Sequence, residues 1–127
     1  MNNIIITPIK HYSNAKIYKL RIYKENSQKS GIYRLNNLIN NKTYVGSAKD
    51  LKIRFKSYYS LKHINRTLNR SSSIIYRGIL KYGYSNFSID ILEYCEHSLL
   101  IEREQYYLDL LKPEYNICKT AGSYWKN

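Results

Sequence analysis

An α/β fold of the α+β kind is what the 127-residue sequence predicts: a three-stranded antiparallel sheet flanked by helices, in the order ββααβα. Three observations predict it. Two short tyrosine-bearing runs, GIYRLN from Gly31 and KTYVG ending at Gly46, face each other across an asparagine-rich loop, as the strands of a hairpin do. Phe87, Ile89 and Ile91 alternate with polar residues, the two-residue period of a third strand. Three further segments repeat apolar residues at helical spacing, with Ser near their starts and Gly or Pro beyond two of their ends. Elements arranged this way along a chain of this length form one layered domain.

Residues 1–29 read as an N-terminal extension. NAKIYKLRIYKEN carries Ile17, Leu20 and Tyr23 at helical spacing, and Tyr18, Leu20 and Ile22 at strand spacing. Asn14, a residue type that caps helices, tips the balance to a helix. NSQKSG then forms a turn. In the hairpin, pairing Asn36 with Asn41 puts Tyr33 opposite Tyr44, side by side on one face. Gly31 and Gly46 end the two strands, where a missing side chain admits a close neighbour. SAKDLKIRFKSYY starts the first helix, with Ser47 and Asp50 spaced as in a capping box. Leu51, Arg54, Phe55 and Tyr58 share its apolar stripe, while Lys49, Lys52 and Lys56 share another. HINRTLNRSSS reads as a polar, basic loop. SSIIYRGILKYG is the second helix, capped by Ser72 or Ser73 and stopped near Gly83. NFSIDILEY is the third strand. SLLIEREQYYLDLLKP is the third helix, capped by Ser98 and closed before Pro113. The domain spans 30–123, and 124–127 form a C-terminal tail.

Charge narrows the function. The net charge is +12. Up to Ser88 there are 17 Lys and Arg against Glu25 and Asp50, whereas from Ile89 onward 4 basic residues meet 7 acidic ones. A basic block this lopsided implies a polyanionic partner, nucleic acid being the commonest, over a surface kept basic for solubility. No apolar run approaches the roughly 20 residues of a membrane span. MNNIIITPIKHY lacks the length and cleavage site of a signal peptide, so a soluble, non-secreted protein is expected. Cys95 and Cys118 lack metal-binding spacing and are expected as packed thiols. His11, His63 and His97 stand apart from the patterned residues and are expected at the surface or satisfied by neighbours.

The third helix carries the sharpest chemical signal. Its apolar stripe runs Leu100, Tyr107, Leu108, Leu111, and position 104 belongs to that stripe, yet it is Glu104. A carboxylate on a core-facing stripe is costly unless it is paired or holds a cation. Helix geometry alone leaves two readings level: a structural pair with Arg54, or a functional site.

In chain order, GIY at 31–33, YVG at 44–46, Arg54, Glu104 within LIEREQYY and Asn116 within PEYNI resemble the GIY-YIG nucleases. The stretches IYRGILKYGYSNFSIDILEY and LIEREQYYLDLLKPEYNICKTAGS look particularly like homing endonucleases encoded in introns of fungal mitochondrial genomes. The resemblance covers about residues 30–123, and the leader before SGIY is also similar. It implies a metal-dependent DNA endonuclease that hydrolyses phosphodiester bonds of double-stranded DNA, leaving 5′-phosphate and 3′-hydroxyl ends, in the mitochondrion. The implied catalytic set is Tyr33, Tyr44, Arg54, Tyr58, Glu104 and Asn116. Glu104 would be the sole protein ligand of one divalent cation, Mg²⁺ with Mn²⁺ as a substitute, since Mg²⁺ keeps several waters and accepts a single carboxylate. Arg54 would stabilise charge on the scissile phosphate. Tyr33 would serve as general base or water carrier, and Tyr44 would position the water. Tyr58 would hydrogen-bond within the site, or simply pack in the core. Asn116 would support the architecture, or cap a turn.

Lys49, Lys52 and Lys56, with Arg66 and Arg70, are candidate DNA phosphate contacts. The alternative is a solvated lysine face. Relatives of this kind usually continue into DNA-reading modules, whereas this sequence ends at YWKN, so site-specific recognition stays an open question at this point. A rival class stays open: a non-catalytic nucleic-acid-binding or intron-splicing helper protein.

Overall fold

The computed structural model describes residues 5–71, 73–117, 120 and 121. Among them the sheet has four antiparallel strands in the spatial order β1-β4-β2-β3, with β1 Lys10–Tyr12, β2 Gly31–Asn37, β3 Thr43–Ala48 and β4 Phe87–Tyr94. Five α-helices accompany it: α1 Lys19–Asn26, α2 Leu51–Tyr59, α3 Leu61–Arg70, α4 Ile74–Tyr82 and α5 Leu100–Leu111. None is long and apolar enough to cross a membrane.

Strand alternation splits the core in two. Tyr33, Leu35, Phe87, Ile89 and Ile91 face a cluster with residues of α1 to α4. Ile32, Val45 and Leu92 face the other way, onto Leu100, Tyr107 and Leu108 of α5. β4, buried on both faces and central in the sheet, needs a hydrogen-bonding partner on each side. The expected three strands leave one side bare, and β1 covers it, pairing Lys10, His11 and Tyr12 with Ile91, Asp90 and Ile89. The N-terminal extension is therefore part strand and part helix. Three residues are too few to show an alternation, which is why β1 escapes a reading of periodicity.

Asp90 binds three strands together. Its Oδ2 accepts from Arg34 Nη2 at 2.9 Å and from Asn36 Nδ2 at 2.8 Å, both on β2, and its Oδ1 meets His11 Nδ1 of β1 at 2.6 Å. A buried carboxylate needs such partners to stay ionised at tolerable cost.

Other expectations change in detail. The β2–β3 register is two residues off the expected one, with Tyr33 opposite Gly46 and Leu35 opposite Tyr44. The loop is longer because Asn37 organises it. Its Oδ1 accepts from the Ile39 N–H at 2.9 Å, and the turn closes with Asn41 at φ 63°, a left-handed conformation that Asn tolerates. A two-residue slip preserves the face, so Tyr33 and Tyr44 remain neighbours.

Asp50, not Ser47, caps α2, accepting from the Lys52 N–H at 3.1 Å. The expected loop from His63 is helix α3, capped by Ser60 through the His63 N–H. Leu61, Ile64 and Leu68 lie at helical spacing, but only Ile64 is fully buried, so one apolar residue per turn hides among polar ones. Arg66 and Arg70 consequently stand on a helix. Ser73 caps α4 and Gly83 closes it, as expected; Ser72 lies outside the described residues. Ser98 caps nothing: it sits in a 3-10 turn, His97–Leu99, that leads directly into α5. Cys95 is a reduced thiol whose pKa burial raises, while Cys118 and the 124–127 tail lie outside the described residues.

Asn14 does not cap α1 itself. Its Oδ1 accepts from the Lys16 and Ile17 N–H groups of the turn before it. Asn26 anchors the far end. Fully buried, it donates to Ile22 O at 2.8 Å and Tyr12 Oη at 3.1 Å, and accepts from Tyr94 Oη at 2.7 Å. Asn26→Ala strands the Tyr94 hydroxyl, takes one of two partners from the Tyr12 hydroxyl, and is expected to destabilise by about 1–3 kcal/mol. Urea unfolding should show this as a lower midpoint with an unchanged slope.

Candidate active site

The candidate site forms around the free edge of β3. Residues of a strand interior point to one face or the other, so only at an edge can groups from both faces meet. Tyr44 and Gly46 face α2, and Val45 and Ser47 face α5. The edge is closed by the segment after α5. Asn116 lays its amide against the Val45 peptide: Oδ1 accepts from the N–H at 2.9 Å, and Nδ2 donates to the carbonyl at 2.8 Å. The Tyr115 N–H donates to Thr43 O at 2.9 Å, and Glu114 Oε1 accepts from the Thr43 N–H at 3.0 Å.

A cleft of about 390 Å³ opens beside this edge, lined by Tyr44, Arg54, Tyr58, Tyr76, Glu104 and Asn116 among others. Five of the six expected catalytic residues thus share one wall. Tyr33, the sixth, stands behind it, 1% exposed. Its hydroxyl meets the Tyr58 hydroxyl at 2.8 Å, and its ring packs against Phe55, Tyr58 and Tyr44 with centroids 5.2, 5.9 and 6.4 Å away. The ring lies over Gly46. A Cβ there would stand 2.5 Å from the Tyr33 hydroxyl oxygen and 2.6 Å from its ζ carbon. The glycine of the YVG run is needed because the tyrosine of the GIY run occupies its side-chain space.

Glu104 is 4% exposed, as its place on the α5 stripe demands. The Ser47 hydroxyl donates to its Oε1. Burial raises the Glu104 pKa; the Ser47 hydrogen bond and the positive charge of Arg54 work against that rise. Arg54 acts on Glu104 electrostatically, and both line the cleft. Ser47, read from sequence as a helix cap, is the residue that sequence reasoning missed. The signal was available: extending the strand to position 48 puts Ser47 on the Val45 face, toward the helix that bears Glu104. Tyr76, also unexpected, joins the wall and hydrogen-bonds His63 Nε2 at 3.2 Å.

Tyr58 is held well above the ordinary phenol value, first by burial and then by Tyr33 and Tyr44, with Arg54 pulling the other way. It keeps its proton at neutral pH and acts as a hydrogen-bonding group. The donor set suits a hard divalent cation: one anionic oxygen ligand at a cleft wall, with room for water and phosphate oxygens. Among the described residues no group of three or more His, Cys, Asp and Glu side chains converges, so such an ion would rest on Glu104 as its only carboxylate.

The expected phosphate contacts divide. Lys49 lines a second groove with Ser47, Asp50 and Ile53, and Arg54 belongs to both this groove and the cleft. Arg66 and Arg70 flank a shallow depression on α3 that shares Thr67 with the cleft. Lys52 and Lys56 lie elsewhere. Lys56 is about 200° around α2 from Arg54, and its Nζ sits over the Tyr23 ring of α1.

The GIY-YIG catalytic domain family matches residues 29–116. The chain is 40% identical over 90 residues to intron-associated endonuclease 1 of Enterobacteria phage T4, covering 69% of this chain and 35% of that protein. It is 30% identical over 132 residues to the probable intron-encoded endonuclease bI1 of Neurospora crassa, covering 97% of this chain and 28% of that protein. The UvrABC system protein C of Helicobacter pylori shares 35% identity over 101 residues, covering 74% of this chain and 15% of that protein. The chain thus spans about a third or less of the length of these curated relatives. Among solved structures, the catalytic domain of the homing endonuclease I-TevI matches with a TM-score of 0.57 and 38% identity, over 71% of this chain and 99% of that one. A mutant form of the same domain matches with a TM-score of 0.60 and 36% identity, over 73% of this chain and 97% of that one.

Two outcomes follow from the packing. Gly46→Ala, which drives a Cβ into the Tyr33 ring, is expected to cost about 1–3 kcal/mol, read as a fall in thermal midpoint. The raised Glu104 pKa has a definite sign. The stability it contributes is complete below the ordinary carboxylate value and is lost as pH rises through the folded value. With a chelator present, Glu104→Gln should therefore be more stable than the parent at pH 8, with the gap closing toward pH 4 in denaturant unfolding.

Proposed function

Because the chain belongs to the GIY-YIG family of catalytic domains, we propose that it is a divalent-metal-dependent endonuclease that hydrolyses phosphodiester bonds of double-stranded DNA, with residues 30–123 as the catalytic unit. The observation that carries the proposal is the convergence of Glu104, Arg54, Tyr44 and Tyr58 on one cleft from opposite faces of the sheet. No fold requirement brings a buried carboxylate, a guanidinium and two phenols together.

In this reading the scissile phosphate lies in the cleft against Arg54, whose charge offsets the charge gained by the phosphoryl oxygens in the transition state. The attacking water stands against the hydroxyls of Tyr44 and Tyr58. Its oxygen bonds to phosphorus as one of its protons leaves toward the Tyr58–Tyr33 hydroxyl pair, the bond to the 3′ oxygen breaks, that oxygen takes a proton from solvent water, and a 5′-phosphate and a 3′-hydroxyl remain. Tyr58, protonated, can donate its hydroxyl to Tyr33 across the 2.8 Å contact. Tyr33 does not touch the cleft directly, so it serves as base only by relay, taking the proton that Tyr58 passes on across the hydroxyl pair. Glu104, oriented by Ser47, would hold the cation, either Mg²⁺ or Mn²⁺, and the ion bound there would supply charge stabilisation to the phosphate and the leaving oxygen. Asn116 keeps Val45, and with it the neighbouring Tyr44, in place at the strand edge. Lys49, Arg66 and Arg70, beside the cleft, guide the flanking backbone. The likeness to the N. crassa intron-encoded endonuclease supports a setting in the mitochondrion.

Supercoiled plasmid with Mg²⁺ tests this. The parent is expected to nick or linearise it, and both a chelator and Glu104→Ala should abolish cleavage while DNA binding persists. At limiting metal, cleavage should fall as pH drops through the raised Glu104 pKa, since the protonated carboxyl cannot hold the ion. No cleavage across a range of Mg²⁺ and Mn²⁺, with binding intact, would mean the chain is a binder of nucleic acid and not a nuclease.

A further inference from the structure

Helix α1 lies ahead of residue 29, where the family match begins. It is nonetheless built into the fold: Ile22 and Asn26 are fully buried, and Leu51 at the start of α2 bonds through its N–H to Lys29 O at 2.9 Å. Beside the exposed Leu20, α1 turns Lys19 and Lys24 outward, and Lys16 stands exposed in the turn before it. Its one acid, Glu25, is engaged on the opposite side by Tyr12 at 2.7 Å, Arg21 at 3.1 Å and Lys10 at 3.7 Å.

Along the seam between α1 and α2, lysines and tyrosines interleave. Lys19 Nζ lies 5.3 Å from the Tyr59 ring centroid and 6.0 Å from that of Tyr23, and Lys56 Nζ approaches the same Tyr23 ring at 5.8 Å. Two ammonium groups drawn onto one ring repel each other, and the ring quadrupole compensates only in part. An anion outside the seam would relieve that repulsion. Lys52, one turn before Lys56 on the same stripe of α2, lengthens the row. The expected lysine face of α2 is thus one half of a surface whose other half comes from outside the family domain.

We propose that α1 and the Lys52–Lys56 stripe form a phosphate-tracking surface for duplex DNA, separate from the cleft, that binds backbone flanking the cut site without reading sequence. The inference rests on the nucleic-acid partner of the nuclease reading and not on its chemistry. Contacts of this kind release counterions, so they set both affinity and its salt dependence.

The test uses the full chain carrying Lys16→Glu, Lys19→Glu and Lys24→Glu, against a charge-matched control with Lys42→Glu, Lys81→Glu and Lys112→Glu. Both bind a labelled 30-base-pair duplex across a salt series, and both are assayed on plasmid. Circular dichroism checks that each is folded. The α1 variant is expected to bind at least tenfold more weakly than the control, with a shallower salt slope. Its cleavage rate at saturating DNA should stay within twofold of the parent. Equal affinities and equal slopes for the two variants overturn the surface, as does a parent that binds no duplex. Loss of affinity confined to the α1 variant in a chain that cleaves nothing upholds the surface and removes the nuclease reading alone.

Discussion

The hydroxyl of Ser47 donating to the buried carboxylate of Glu104 ties α5 to the edge strand of a sheet whose other face carries α2. On one face stand α2 and its arginine, with the tyrosines of the hairpin. On the other stands α5. A strand in the middle of a sheet sends successive side chains to opposite faces, and the backbone between them keeps the two sets apart. β3 is an edge strand, and around its rim the two faces share one cleft. The carboxylate supplied by α5 and the guanidinium supplied by α2 line one cleft because of where β3 sits in the strand order, though 50 residues separate them in sequence.

Local chemistry made much of this legible. The two tyrosine-glycine runs, the alternation of Phe87, Ile89 and Ile91, and the out-of-place Glu104 each imply their structure through spacing alone. What stayed hidden was set by contacts distant in sequence. β1 is too short to have a period and exists because β4 needs a second partner. α3 buries one residue, Ile64, and so reads as a loop. The hairpin register follows from Asn37 folding its side chain into its own turn, which no pattern of strand residues reveals. Ser47 satisfied a local rule, the spacing of a capping box, while its true partner lay on another element.

The tyrosines show how composition can mislead in both directions. Fifteen in 127 residues makes any one of them easy to dismiss. Yet Tyr33, Tyr44, Tyr58 and Tyr76 form a contiguous layer of edge-on and tilted rings between the sheet and the helices, with hydroxyls at its surface. Such rings pack as core residues and still carry a polar end, so core packing and chemistry are not alternatives for Tyr58.

The side-chain amide of Asn116, bonded to both polar groups of the Val45 peptide, imitates one residue of a neighbouring strand. With the backbone of Tyr115 on Thr43, it occupies the positions an incoming chain would use to extend the sheet. An edge left bare is a template for intermolecular aggregation. The site depends on β3 remaining terminal, and the same asparagine that steadies the site also keeps a second molecule from zipping onto it. At this edge Asn116, with Glu114 and Tyr115, both borders the cleft side of β3 and fills the hydrogen-bonding positions a second chain would need.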